Sequence, residues 1–351
     1  MAEPLKPRKA VLQMAPYSPP TSGRADRLRL DFNENTVGAS PRVAELLKQR
    51  LSAGALAVYP EYEEARRALA AFFGVNEDEL LLANGTDEAI QLLVNTYVDD
   101  GDEVVLLRPS YAMYRFYAEV AGAALREVDY RRENLAFPLE ELVEAIGPST
   151  RAVLIANPNN PTGTGVGLEQ IRRVLDRASG AAVLIDEAYY EFSGVTALGL
   201  IDEYPNLFVS RTFSKVYGMA AMRLGCLFSR AENVAYLRKA QSPYSVNALA
   251  ALAAVAAVED TEYIDRYVRE ALAARQMLYE GFERLGIGYY PSQANFVLFR
   301  AGERAAEICD RLRSRGVLVR DRSYELPGCV RVTAGTREQV QRFFEVLEEV
   351  W

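Results

Sequence analysis

The strongest constraint on this chain is a series of short β-rich runs at 80–83, 103–108, 151–156, 182–185, 207–210 and 224–228, several of them continuously apolar. Each is followed by a polar turn, and helical periodicity fills most of the intervals between them. A strand that faces water on one side alternates apolar and polar residues, whereas a strand covered on both faces reads as an unbroken apolar run. Buried strands alternating with helices predict an α/β fold built on a mainly parallel sheet. Ligands in such sheets sit beyond the carboxyl ends of the strands. The turns after these runs are therefore the places to look for chemistry.

With 351 residues the chain exceeds one ordinary core. The expected division is an N-terminal arm over 1–40, a large domain over 41–245, and a small α/β domain over 246–351 entered through a long linking helix. Ser40-Pro41 reads as an N-cap followed by proline at the first helical position, and Thr336 with Gln339 reads as a capping box. A helical region is predicted over 247–285. Strands near 294–299, 317–320 and 330–333 then alternate with helices at 303–315 and 337–349. The first 40 residues have too few periodic apolar positions for a core, so they are expected to lie across the active side or on a partner.

The net charge of −8 is spread along the chain, which argues against a nucleic-acid partner. The longest apolar stretch, 248–258, falls short of the roughly 20 residues a membrane span needs. No apolar run follows Lys6, Arg8 and Lys9 in the way a signal peptide requires. A cytoplasmic protein with no membrane partner is expected. Cys226, Cys309 and Cys329 are scattered and odd in number, as reduced core thiols would be. The chain has no histidine. That absence removes histidine-based triads and H-E-x-x-H zinc sites, and no metal site is expected. Any proton shuttle falls to Lys, Asp, Glu, Tyr or Cys. Of five lysines, Lys6 and Lys9 lie in a polar arm and Lys48 and Lys239 in charged helical patterns, which leaves Lys215 apart.

Lys215 follows a predicted strand in the segment Ser210-Arg211-Thr212-Phe213-Ser214-Lys215, with hydroxyls one and three residues before it and Arg223 eight residues after. Hydroxyls and a guanidinium suit a phosphate. Asn84-Gly85-Thr86-Asp87 joins a strand to a helix, where the first N–H groups can meet an anion; ordinary N-capping explains that turn equally well. Asp186 ends a buried strand, a costly place for a carboxylate without a cation, although it could simply cap a loop. Asn157-Pro158-Asn159-Asn160-Pro161 follows another buried strand and can aim Asn160 inward. Pyridoxal phosphate makes the matching demands: a cup for its phosphate, a carboxylate at its ring nitrogen, and a lysine that alternates between imine and free base. A competing dinucleotide reading arises from Gly163-x-Gly165-x-Gly167 with Asp186 about 20 residues on. It lacks the last glycine of the G-x-G-x-x-G spacing, and Pro161 stands where strand should turn directly into helix.

The motifs NPNNPTG, DEAY and S-x-T-F-S-K followed by an arginine resemble, in order and spacing, the aspartate aminotransferase superfamily, the fold type I pyridoxal-phosphate enzymes. The resemblance implies pyridoxal 5'-phosphate as cofactor. It implies Lys215 as Schiff-base lysine and proton shuttle, Asp186 at the ring nitrogen, and Asn160 with Tyr189 at the ring hydroxyl. Gly85, Thr86, Asp87, Thr212, Ser214 and Arg223 would form the phosphate cup, and Tyr111 would stack on the ring. Within the superfamily the chain is most similar to the histidinol-phosphate aminotransferase family, from Ala15-Pro16-Tyr17 to Val330-Arg331-Val332-Thr333. That similarity implies Tyr17 and Asn33-Glu34-Asn35 in a substrate-side arm, and Arg320 and Arg331 at the substrate anion. It also implies an obligate homodimer in which Tyr59 reaches the partner's cofactor phosphate. Small amino donors and a 2-oxo acid would be the partners. Arg322 is a further cation with no assigned place. The cofactor motifs are shared with aromatic aminotransferases and with a decarboxylase of the same branch, so these alternatives stay open, as does a ligand-sensing domain without turnover.

Overall fold

The computed structural model describes residues 5–16 and 22–351. A two-residue strand, β1 (Leu28–Arg29), belongs to the arm. Seven strands form the large sheet: β2 (Leu80–Ala83), β3 (Glu103–Arg108), β4 (Ala124–Asp129), β5 (Thr150–Ala156), β6 (Ala182–Asp186), β7 (Leu207–Thr212) and β8 (Gly225–Phe228). Five short strands complete the fold: β9 (Tyr289–Tyr290), β10 (Phe296–Arg300), β11 (Val317–Leu318), β12 (Arg320–Asp321) and β13 (Cys329–Thr333).

The large sheet runs in the order β2-β8-β7-β6-β5-β3-β4. Its neighbours pair in parallel except at β8, which is antiparallel to both β7 and β2. The buried runs of the sequence are these strands, and their side chains are buried on both faces. The exception is β4. This edge strand alternates exposed and half-buried residues, and its sequence carries no continuous apolar run to mark it. The small lobe is a four-stranded antiparallel sheet, β12-β13-β10-β9. The arm joins it where β1 pairs in parallel with β11.

The helical region predicted over 247–285 forms as two helices, Ala248–Glu259 and Thr261–Arg284, divided at Asp260, whose φ of −97° and ψ of 60° depart from helix. Asp260 accepts a short hydrogen bond from the Ser40 hydroxyl there. The alanines of the first helix and the start of the second, as far as Ala271, pack in the core of the large lobe. From Ala274 onward the second helix packs in the separate core of the small lobe. The change of core thus falls inside this helix, later than residue 246, because the small alanine side chains let the first helix lie close to the large lobe. No helix among the described residues is long and apolar enough to cross a membrane.

Register aligns the ends that matter. Ala156, Asp186 and Ser210 stand side by side on β5, β6 and β7. Because β8 runs the other way, its first residue, Gly225, meets Thr212 of β7 and Ala83 of β2. A Cβ on Gly225 would lie 2.7 Å from the carbonyl carbon of Gly85 and 2.8 Å from the nitrogen of Thr86. Only glycine lets the sheet and the Gly85–Tyr97 helix start approach this closely. Gly225→Ala is expected to cost about 1–3 kcal/mol of stability, as overpacking against rigid backbone does. Thermal unfolding measures it, and an unchanged transition would show that the turn gives way freely.

Candidate active site

Beyond the strand carboxyl ends lies a cleft of about 250 Å³. It is lined by Glu34, Thr86, Asp87, Tyr111, Asn160, Asp186, Tyr189, Thr212, Ser214, Lys215 and Arg223 among the residues expected, and by Phe32 and Tyr114 among those that were not. Segments far apart in sequence meet here because five strands deliver their following turns to one edge.

Lys215 follows β7 and donates from Nζ to the carbonyl of Phe32 in the arm, at 2.9 Å. Its Nζ also lies 5.7 Å from the centre of the Tyr189 ring. Asp186 is 4% exposed. Its Oδ2 accepts from the Tyr114 hydroxyl at 2.7 Å and its Oδ1 from the Ser210 hydroxyl at 3.0 Å. Burial pushes its carboxyl pKa up, and the hydrogen bonds from Tyr114, Ser210 and the Ala188 amide only partly offset this. Among the described residues it forms no ion pair. A buried carboxylate in that condition is a receptor for a cation or a proton donor.

At the other end of the cleft the helix Gly85–Tyr97 begins with Gly85 at φ +74°, where a Cβ would strike the Arg223 guanidinium at 2.6 Å. Asp87 does not face an anion. Its Oδ1 accepts from the Tyr111 hydroxyl at 2.7 Å and its Oδ2 pairs with Arg223 at 3.1 Å. It fixes those two side chains, while the helix amides and Arg223 provide the positive end. Thr212 Oγ1 accepts from the Ser214 amide at 3.0 Å, and Arg223 reaches Ser214 Oγ at 3.5 Å. Amides, hydroxyls and a guanidinium converging on one point form an anion cup.

Asn160 accepts a short hydrogen bond from Arg331 Nη1. Arg331 is 4% exposed, also donates to the Asp31 carbonyl at 2.6 Å, and has a buried Nε without a partner. Burial, with Arg322 and Arg320 nearby, pushes its pKa down to about 10. Asn33 lies behind the cleft wall and does not line it. Its amide donates to the Tyr189 hydroxyl at 2.9 Å, and its Oδ1 accepts from Thr333 of β13 at 3.1 Å. Arg320 also stays off the wall, 5.6 Å from the centre of the Phe32 ring. Tyr59 does not reach the cleft of its own chain. It is 73% exposed and stacks on Tyr244 at 4.4 Å. Tyr17 lies outside the described residues.

Sequence patterning left Tyr114 unmarked, although its position three residues after Tyr111 puts it on the same helix face. Phe32 and Glu34 flank Asn33 in a segment that has no periodicity to place it. The glycines at 163 and 165 serve another purpose than a phosphate loop. A Cβ on Gly163, at φ +77°, would lie 2.8 Å from Cα of Ser292, and one on Gly165 would strike Gln293. They let the large lobe touch the small one, where the Gln293 amide donates to the Gly163 carbonyl at 2.8 Å.

Residues 25–347 match the aminotransferase class I and II family. A histidinol-phosphate aminotransferase from Symbiobacterium thermophilum is 41% identical over 355 residues, covering 97% of this chain and 97% of that protein. Another, from Geobacillus thermodenitrificans, is 36% identical over 358 residues, covering 96% of each. Among solved structures, the histidinol-phosphate aminotransferase from Sinorhizobium meliloti in complex with pyridoxal-5'-phosphate superposes with a TM-score of 0.83 at 25% identity, covering 92% of this chain and 91% of that one.

The unpaired Asp186 generates a prediction about the ligand-free protein. A carboxyl whose folded pKa is raised binds its proton more tightly in the folded chain, so stability falls as pH rises from the ordinary carboxylate range through the raised value. Ligand-free Asp186→Asn is expected to unfold at a higher temperature than the parent at about pH 8 and to lose that advantage toward about pH 4. An advantage that does not change with pH would contradict the assignment.

Proposed function

The chain belongs to the aminotransferase class I and II family, and on that premise we propose that it is a pyridoxal-phosphate transaminase that moves the amino group of L-histidinol phosphate to 2-oxoglutarate. The products are imidazole-acetol phosphate and L-glutamate. The observation that carries this reading is the meeting, in one cleft, of Lys215, an unpaired buried Asp186 and an anion cup, with Arg331 behind the wall bonded to Asn160 and its Nε without a partner.

The donor set fits the cofactor. Asp186 lacks only a cation, which a protonated pyridine nitrogen is, and the cup at Gly85, Thr86, Thr212, Ser214 and Arg223, with Asp87 holding Arg223 in place, suits a phosphate monoester. When bound, the cofactor supplies a carbonyl carbon that takes up amino groups and a cationic ring that draws electrons away from the substrate Cα.

With the cofactor bound, Lys215 would be the residue that holds it through Nζ, and whenever that Nζ is released it would be a free base at the cleft, the amine among the described lining residues placed to move a proton at the substrate Cα. Asp186, its carboxylate fixed by Tyr114 and Ser210, would keep the ring nitrogen protonated. Asn160 and Tyr189, the latter oriented by Asn33, would hold the ring hydroxyl, and Tyr111 would cover the ring. Arg331, with Arg320 beside it, takes the substrate anion, which is phosphate in L-histidinol phosphate and carboxylate in glutamate.

Tyr59 serves the cofactor phosphate of a second copy, which makes the working form a homodimer. Its exposure supports this assignment, as does that of Leu51, Leu56, Val58 and Tyr244, a group of uncovered apolar side chains suited to an interface.

Lys215→Ala is expected to lower turnover by about 10⁴-fold, the upper range for a proton-transfer group, and full turnover in that variant would overturn its role. Arg331→Ala is expected to raise KM about 10- to 100-fold for both anionic substrates, and unchanged values would show that it binds neither. Single-turnover spectra decide the substrate. Rapid loss of the lysine-bound cofactor band with L-histidinol phosphate and L-glutamate, and slow loss with L-phenylalanine, is expected. If L-phenylalanine reacts fastest, the enzyme is an aromatic transaminase.

A further inference from the structure

Arg322 is a buried cation that the reaction above does not use. It follows β12, is 7% exposed, and has a buried Nε without a partner. Its amide donates to the Cys329 carbonyl at 2.9 Å, and its own carbonyl accepts from the amides of Glu325 and Leu326 at 3.0 and 2.8 Å. That tight turn brings the Glu325 carboxylate back onto Arg322 Nη2 in a short ion pair.

Across the paired strands Arg320 faces Arg331, and Arg322, two residues on and bonded to Cys329, falls on the same side of β12, which sets its partner Glu325 at the edge of an arginine cluster. Burial raises its pKa, and the positive charges of Arg322, Arg331 and Arg320 act against that rise. Arg331 feels Arg322 more strongly than Arg320. Among the described residues, however, Arg331 has no carboxylate within ion-pair distance; its Nη1 donates to Asn160, which lines the cleft, and its buried Nε has no partner. A mostly buried carboxylate beside a buried, uncompensated guanidinium would be expected to pair with it, since each carries a desolvation cost that the other relieves. Arg322 holds Glu325 elsewhere.

We propose that Arg322 sets the affinity of the substrate anion site by sequestering Glu325, so that Arg331 remains free for the carboxylate or phosphate of the substrate. This rests on the reading of Arg331 as the anion-binding residue. Arg322 is a positioning residue here: it acts through Glu325 and Arg331 without touching substrate. Without its charge, Glu325 turns to Arg331 and competes with every anionic substrate alike.

The test uses the holoenzyme in four forms: the parent, Arg322→Met, Glu325→Gln, and the double variant. KM and kcat are measured with L-glutamate, and the affinity for succinate, an unreactive dicarboxylate, is measured from the absorbance of the lysine-bound cofactor. Arg322→Met is expected to raise KM and the succinate dissociation constant about tenfold or more while kcat stays within about twofold. The double variant is expected to return both constants to within about threefold of the parent. Glu325→Gln alone is expected to leave them equal or lower. The proposal is overturned if Arg322→Met changes nothing, if the double variant binds as weakly as the single one, or if Glu325→Gln weakens binding. Thermal unfolding and the cofactor band of each form separate these results from a general loss of structure. Succinate and glutamate report on the anion site whichever amino donor the enzyme prefers. Failure of L-histidinol phosphate as a donor would therefore leave this test standing, whereas unchanged anion binding in Arg331→Ala would remove its premise.

Discussion

Two successive carboxylates at the end of β6 set the terms for the rest of the molecule. Side chains alternate along a strand, so Asp186 and Glu187 project to opposite faces of the sheet. Glu187 is wholly compensated: it accepts from Arg211 Nη2 at 3.0 Å, from the Thr196 hydroxyl at 2.8 Å and from the Ala197 amide at 2.6 Å. The Arg211 guanidinium lies in turn 3.6 Å from the centre of the Tyr190 ring. Asp186 receives hydroxyls but no cation. One face of the sheet end is therefore closed, and the other is left with a charge that only an external cation can balance. Lys215, the helix start at Gly85 and the Asn160 loop surround that second face.

The arm and the small lobe reach the same place through a few bonds of long sequence separation. Lys215 donates to Phe32, Asn33 bridges Tyr189 and Thr333, and the Asn35 amide donates to the Val216 carbonyl at 2.9 Å. The arm is thereby fastened to the residue after the lysine, to Tyr189 and to the strand that carries Arg331. This gives the Asn33-Glu34-Asn35 segment a purpose that its sequence, without periodicity, does not display.

Much of the large lobe was legible because burial on both faces writes itself as continuous apolar runs. The turns after them could be read as sites because Asp186 and Lys215, each open to an ordinary reading alone, occur together with the hydroxyls and Arg223 that a phosphate-bearing cofactor would need. What escaped notice lacked such a signature. The edge strand β4 alternates like many surface segments. Tyr114 looks like any aromatic on a helix, and its function appears only when β6 brings Asp186 beneath it. The break at Asp260 depends on Ser40, over two hundred residues away. Asn33 and Arg320 were expected at the substrate from resemblance, and they stand one layer behind the cleft wall. The glycines at 163 and 165 suggested a nucleotide loop because local spacing cannot distinguish a backbone that approaches a phosphate from one that approaches Ser292.

The most direct test of the central claim is to reduce the holoenzyme with borohydride, digest it and locate the cofactor by mass spectrometry. A phosphopyridoxyl group on the peptide that contains Lys215, and on no other, is the predicted result. A cofactor found on Lys239 or Lys48, or a protein that retains none after reduction, would contradict it.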